Sequence, residues 1–246
     1  MIDLLALPSI WVVVIAAAIL RAFTGFGFGL AAVPAFALFL TPTQSVVLSV
    51  SLTLAVGIQG WPQYRDKVSI TALLPMSVFV VVGTILGTLL LIGLSLETFQ
   101  LAIGVVTILA CLILTLYHPR SRRGQPGLMW GTSLFSGLMN GAFAMPGPPI
   151  IVYTMATEPD PDISRAFLIM FLTFSSVVAL ASYGMYGLIN LQSVYLFLFA
   201  YPAMYLGNRF GSRLFFRHGR RLYRRVALTT LFFIGLSVIG KALLKL

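Results

Sequence analysis

The chain has 246 residues, of which 59% are hydrophobic and only 9% are charged, and its mean hydropathy is +1.00. A soluble domain carries about 25% charged residues, so this composition predicts an integral membrane protein and excludes a separate soluble domain. The net charge of +10 does not indicate nucleic-acid binding, because the basic residues lie in short loops between apolar segments, where they orient a membrane protein. We expect a multi-pass protein of the cell inner (plasma) membrane.

The apolar segments have helical lengths, and a helix needs about 20 apolar residues to cross the hydrocarbon core. They are found at 4–23, 27–40, 43–61, 69–95, 98–117, 128–144, 148–157, 163–188, 191–216 and 222–244. The segments 27–40 and 148–157 are too short to span comfortably, and each directly follows a break rich in glycine or proline. The predicted fold is therefore an all-α membrane protein, a helical bundle with broken or re-entrant helices.

The two breaks indicate an internal repeat. Gly25 and Gly141 each open a break that proline follows. Further along each half, Gly83-Thr-Ile-Leu-Gly87 matches Gly207-Asn-Arg-Phe-Gly211, and both are G-x-x-x-G steps that let helices approach closely. The alternative is chance, because glycine is common in membrane helices. We predict a first repeat over 1–120 and a second over 126–246, with a basic cytoplasmic linker at 118–127.

The orientation of the repeats follows from the number of segments and from the basic loops. Each half holds an odd number of crossings, so the halves would be inverted, with the N-terminus outside and the loops 62–68, 118–127 and 217–225 in the cytoplasm. Lys241 and Lys245 are minor exceptions to this cytoplasmic placement of basic residues. If each broken pair made one crossing instead, the repeats would be parallel and loop 217–225 would face the opposite side. The charges favour inverted repeats, a transporter architecture in which broken helices meet near the midplane.

At the first break, the candidate substrate-binding groups are Arg21, Thr24 and the backbone at Gly25, Gly27 and Gly29. Backbone outside a helix at membrane depth is tolerated only where it is buried in protein or lines a cavity, and a charged residue there is a functional candidate. The N-terminus of a half-helix presents unpaired N–H groups and a partial positive charge, which suit an anion. Alternatively, the glycines serve only tight packing and Arg21 snorkels to an interface.

At the second break, the candidates are Asn140, Gly141 and Tyr153, followed by Arg165 at the next helix. Asn140 offers two uncharged donors, Tyr153 offers a hydroxyl, and the short helix from Ile150 is expected to aim its remaining amides inward. The alternatives are an interhelical hydrogen bond for Asn140, a packing role for Tyr153, and an ion pair with neighbouring carboxylates for Arg165.

Other chemistry finds little support in the sequence. Cys111 is the single cysteine and reads as a core residue. No His/Cys/carboxylate cluster indicates a metal or cofactor, and no nucleophile with its base lies in an apolar segment, so we do not expect an enzyme. Because no Asp or Glu lies mid-helix, any proton coupling is expected to travel on the substrate.

The charged groups near the breaks are cationic, so the residues favour a transporter of a small anion within the lipid bilayer. An anion channel lined by the same groups is the alternative, as is transport of another carboxylate-like or phosphate-like anion. A second copy of the chain, in a homodimer, is a possible further partner.

The breaks Gly-Phe-Gly-Phe-Gly…Pro34 and Asn140-Gly…Gly147-Pro148-Pro149…Tyr153, with Arg165-Ala166 opening the next helix, resemble the sulfite exporter TauE/SafE family. The resemblance covers nearly the whole chain. The second break departs from a plain glycine run, with Ala144-Met145-Pro146 in its place. The resemblance implies a membrane permease for sulfur-containing anions such as sulfite or organosulfonates, bound between the two breaks at the repeat interface.

Overall fold

The structure is a computed structural model that describes residues 6–24, 27–116, 125–218, 232–233 and 235–243. Its helices are α1 (Ala6–Thr24), α2 (Phe28–Phe36), α3 (Pro42–Tyr64), a short 3₁₀ turn (Ile70–Leu73), α4 (Leu74–Gly93), α5 (Leu96–Leu116), α6 (Pro126–Phe143), α7 (Gly147–Thr157), α8 (Pro161–Met185) and α9 (Leu191–His218). Residues 235–243 form a further helical stretch, here called α10. No strand occurs in these ranges, and the all-α membrane fold predicted from the sequence is confirmed.

The helix lengths separate spanning elements from short ones. Four helical stretches within the described residues are long and apolar enough to cross a membrane, at Pro42–Pro62, Thr71–Gly93, Leu96–Ile113 and Asp162–Met185. With 9 and 11 residues, α2 and α7 fall well short of the roughly 20 that a crossing needs, as predicted. The predicted segment 27–40 is helical only to Phe36, because residues 37–40 close in tight turns. Most of segment 222–244 lies outside the described residues.

The closest packing is between helices of different predicted halves. Helix α4 packs against α6, α1 packs against α9, and α3 packs against α8. Gly83 and Gly87 bring α4 onto the backbone of α6, and Gly207 and Gly211 bring α9 onto α1. If α1–α5 correspond to α6–α10, the contact of α4 with α6 is the counterpart of the contact of α9 with α1. Two related repeats would pack in this way, while their existence and inverted sense stay predictions.

The end of the half-helix α2 is held by two polar side chains. The Gln100 amide donates to the Ala37 carbonyl, and the Lys241 ammonium donates to the Leu38 carbonyl. Carbonyls at a helix C-terminus lack partners within the helix, and a cation placed there is favourable. Lys241, which the positive-inside rule left as an exception, therefore has a structural reason for its charge.

The contact of α4 with α6 predicts an asymmetric response to added methyl groups. In Gly87→Ala the new methyl would overlap the Leu138 carbonyl of α6, whereas in Gly131→Ala it would meet open space. Overpacking typically destabilises by about 1–3 kcal/mol, so Gly87→Ala should unfold earlier in detergent. Gly131→Ala should be neutral or slightly stabilising, since alanine favours helix by about 1 kcal/mol. Equal melting temperatures for the two variants would contradict this packing.

The inverted arrangement predicts which loops share a side of the membrane. In a Cys111→Ser background, Asp66→Cys and Gln125→Cys should be labelled by an impermeant thiol reagent from the cytoplasmic side. Ser95→Cys and Asn190→Cys should be labelled only from the opposite side, because these exposed positions follow the next crossing in each half. Parallel repeats would place Asn190→Cys on the same side as Asp66→Cys, so that result would refute inversion.

Candidate functional site: a cavity between two helix breaks

The first break turns at Gly27, which precedes α2. Gly27 has φ 93° and ψ 9°, in the left-handed region that glycine adopts without a steric penalty. The first backbone hydrogen bond of α2 runs from the Ala31 N–H to the Gly27 carbonyl, at 3.2 Å. The N–H groups of residues 28–30 therefore have no partner within the helix, as at any helix N-terminus.

The second break turns at Ala144, directly after α6. Ala144 also has a left-handed backbone, with φ 54° and ψ 33°, and its N–H donates to the Asn140 carbonyl at 2.8 Å. This is the usual way to end a helix, although glycine is the usual residue, and alanine costs roughly 1–2 kcal/mol there. The Ser136 hydroxyl donates to the Pro146 carbonyl, which fixes the start of α7 against α6.

The two breaks touch each other. A methyl group on Gly29 would overlap the Ala144 carbonyl oxygen, so the two segments meet backbone to backbone. Beside this contact lies a cavity of about 30 Å³, with a wall made of both breaks and of side chains from α1, α3, α6, α7 and α8. Its lining comprises Arg21, Gly27, Phe28, Gly29, Leu30, Val50, Thr53, Asn140, Ala144, Met145, Pro146, Gly147, Pro148, Ile151, Leu172 and Ser176.

The charge of this wall is positive. Arg21 is half-buried near the end of α1, and of the described residues in the lining it alone is charged. It interacts electrostatically with Arg165 and with Tyr64. Because no carboxylate stands in the described lining to balance Arg21, an anion entering this cavity would be attracted to it.

Arg165 holds the end of α1 and does not pair with its neighbouring carboxylates. One of its guanidinium N–H groups donates to the Ala22 carbonyl at 3.4 Å, and its Nε is buried and has no partner among the described residues. Asp160 instead accepts from the N–H groups of Asp162 and Ile163, at 2.8 and 3.1 Å, and so caps α8. The local ion pair considered from the sequence is absent among these described residues.

Asn140 lies in the wall and also makes the interhelical hydrogen bond that was the alternative interpretation. Its Nδ2 donates to the Ser175 carbonyl of α8 at 2.7 Å. Its Oδ1 is buried and has no partner among the described residues. The side chain is 1% exposed. One of the two donors expected from the sequence is therefore already engaged within the protein.

The remaining candidates from the sequence lie elsewhere or outside the description. Gly141 packs against the α4 backbone at Thr84, which matches the packing role considered for glycine. Tyr153 packs against the hydrophobic core and is not part of the cavity wall. Gly25 lies outside the described residues, and Thr24 is described only as the last residue of α1. The structure brings together Arg21, Gly27, Gly29 and Asn140.

Comparison with known proteins identifies the family of the chain. The family model for sulfite exporter TauE/SafE proteins matches residues 10–238. The chain belongs to the TauE/SafE sulfite exporter family. The probable sulfite/organosulfonate exporter TauE of Cupriavidus necator is 27% identical to this TauE/SafE protein over 226 residues, which cover 89% of the chain and 88% of the relative. No solved structure matches the chain. The resemblance seen at the two breaks is confirmed.

Three polar residues near the two breaks of this TauE/SafE protein were not recognised from its sequence. Thr53 and Ser176 line the cavity. Tyr183 is fully buried on α8, with its hydroxyl 3.0 Å from the carbonyl oxygens of both Asn140 and Gly141. Interfaces between membrane helices are enriched in small residues such as serine, so Ser175-Ser176 was a usable signal that this face of α8 is buried. Nothing local to Tyr183 indicates its partners.

The hydrogen bonds of Tyr183 predict that removing its hydroxyl lowers the stability of the protein. In Tyr183→Phe the aromatic packing is kept, but the end of α6 loses a hydrogen-bond donor, which should lower the free energy of unfolding by about 1 kcal/mol or more. Tyr195→Phe is the matched control, because Tyr195 is 62% exposed on α9 and should melt like the unmodified protein. Thermal unfolding in detergent measures both, and identical melting of the two variants would contradict the proposed contact.

Proposed function

We propose that this protein exports a small sulfur-containing anion, sulfite or an organosulfonate, across the inner membrane, binding it in the cavity between the two helix breaks. The observation that carries the proposal is the meeting of the breaks at a cavity with a cationic wall residue, Arg21, and no carboxylate in the described lining. Membership of an exporter family supports the transport role. The site is inferred from the residues, and the substrate from the family description and the name of the relative.

The donors at the first break fit a compact oxyanion. Arg21 supplies a charged fork of N–H groups, and the unpaired amides at the start of α2 supply neutral donors aligned with a helix dipole. Several acceptor oxygens on one sulfur atom could use these donors together. A carrier must also release its cargo, which favours one arginine and backbone amides over a cage of arginines. Arg165, near Arg21, adds positive potential that attracts anions towards the break.

The alternatives to this substrate and mechanism are weaker. Phosphate or a carboxylate could use the same donors, but the family description and the relative's name both specify sulfite. A permanently open channel is disfavoured by the size of the cavity, because about 30 Å³ holds roughly one or two waters. An organosulfonate is larger than that, so its passage requires the breaks to move. Saturable flux and counterflow in vesicles would distinguish this carrier from a channel.

Replacing Arg21 tests the proposal. Arg21→Met removes the cation from the cavity wall while keeping an apolar chain of similar length. Loss of one partner of a buried ionic contact costs about 2–5 kcal/mol, so sulfite flux into proteoliposomes should fall by at least tenfold.

The matched control is Arg209→Met, because Arg209 is an exposed arginine of α9 that lies outside the cavity. It should leave sulfite flux unchanged. Both variants must insert and reach the same density in the vesicles. Unchanged sulfite flux in correctly inserted Arg21→Met protein would remove Arg21 from the site and return it to an interfacial role.

A further inference from the structure

The polar groups of the cavity are divided between hydrogen-bond donors and hydrogen-bond acceptors. The donors come from the first break, as the Arg21 guanidinium and the N–H groups at the start of α2. The start of α7 contributes less, because Pro148 and Pro149 have no N–H. The amides of α7 that remain, which are expected from the sequence to point inward, are therefore fewer than those at the start of α2.

Two hydroxyl side chains of the same wall present oxygen atoms whose hydrogens are already used. The Thr53 hydroxyl donates to the Ser49 carbonyl at 2.8 Å, and the Ser176 hydroxyl donates to the Leu172 carbonyl at 2.7 Å. A hydroxyl has one hydrogen, so both side chains can offer only lone pairs to a ligand. Each of these bonds lies within its own helix, where it also compensates the burial of the hydroxyl.

Asn140 adds the strongest acceptor to the wall. The Ser175 carbonyl can only accept, so the Nδ2 donor must face it, and this fixes the orientation of the amide. Its Oδ1 is left buried and unpartnered in the described structure. A buried acceptor without a donor is unfavourable. A ligand that brings a hydrogen to this position would be favoured over one that brings none.

We infer that the cavity selects an oxyanion that carries one proton, hydrogen sulfite rather than the sulfite dianion. This inference rests on the proposed function. The anionic oxygens would accept from Arg21 and the α2 amides, and the S–OH hydrogen would be donated to Asn140 Oδ1. The dianion has no hydrogen to donate and would place oxygen lone pairs against Asn140, Thr53 and Ser176.

The protein's own groups do not obscure the pH dependence that follows. The charged and titratable residues on the helices around Asn140 are arginines, tyrosines, two carboxylates and one cysteine, namely Arg21, Tyr64, Glu97, Cys111, Tyr153, Asp162, Arg165 and Tyr183. None of these residue types ordinarily titrates between about pH 6 and pH 8, and α1–α8 carry no histidine. Sulfite itself changes from the singly protonated form to the dianion in this range.

The test is sulfite flux into proteoliposomes held at equal pH on both sides, with total sulfite fixed and pH varied between about 6 and 8. The initial rate should rise as pH falls, in proportion to the hydrogen sulfite concentration. Methanesulfonate, whose oxygens carry no hydrogen in this range, should be transported without pH dependence. Its KM should be about tenfold or more above that of hydrogen sulfite, as expected for an unmade buried hydrogen bond.

Asn140→Leu should reduce the preference for hydrogen sulfite over methanesulfonate by about tenfold. Ser49→Ala is the matched control, because Ser49 Oγ is also buried without a partner but lies outside the wall, and it should keep the preference. If Asn140→Leu does not insert, the pH series and the methanesulfonate comparison in unmodified protein decide the question by themselves.

The failure of this inference is distinguishable from failure of the proposed function. Flux that rises with pH and follows the dianion, or equal KM values for hydrogen sulfite and methanesulfonate, would overturn proton selection while leaving sulfite export in place. A preference that persists in inserted Asn140→Leu protein would also overturn it. If no sulfur oxyanion moves at any pH, the proposed function fails and this inference fails with it.

Discussion

Every backbone N–H and C=O inside a bilayer must find a partner within the protein, and the two helix breaks make this requirement acute. Each break leaves helix ends deep in the structure, where water is scarce. The carbonyls that follow α2 are held by Gln100 and Lys241, and those at the end of α6 are held by Tyr183. The N–H groups at the start of α2 have no partner within their own helix in the described structure. The cavity lies beside these N–H groups, so the proposed binding site coincides with donors that the helix itself does not use.

Helix α8 connects the ends of both broken helices. Near its start, Arg165 donates to the Ala22 carbonyl of α1, and further along, Ser175 and Tyr183 bind the end of α6. Among the described residues, the hydrogen bond from Arg165 to α1 is long, at 3.4 Å, whereas those between α8 and α6 measure 2.7 and 3.0 Å. By these polar contacts α8 is held more firmly to α6 than to α1.

The fold could be predicted from the sequence where the controlling residues act locally. The helices could be predicted from the lengths of the apolar segments. Both breaks could be predicted from glycine and proline, because the effect of these residues on the backbone does not depend on distant residues. Arg21 and Asn140 could be recognised because a polar residue beside a break in an apolar segment is unusual. Gly83 and Gly87 likewise identified a close helix contact.

The parts that could not be predicted depend on how the helices are rotated against one another. Whether Tyr153 or Tyr183 reaches a break depends on which face of its helix points inward, and sequence spacing alone does not decide this. The orientation of the Asn140 amide depends on the Ser175 carbonyl, which lies on a different helix. The role of Lys241 was hidden for the same reason, because its partner Leu38 is about 200 residues away in the sequence. Positive-inside counting treats such a lysine only as a topological signal.

The departure of the second break from a glycine run also has a physical consequence for the substrate. Ala144 accepts the penalty of a left-handed backbone, and its side chain is buried together with that of Met145. Glycines here would relieve the strain but leave space where these side chains now lie against the cavity. The chain thus tolerates local strain, and beside the donors of α2 its cavity is narrower and its wall less polar than a glycine run would make them. A narrow cavity penalises a bulky organic group more than a compact oxyanion, which agrees with the proposal that the cargo is a small anion.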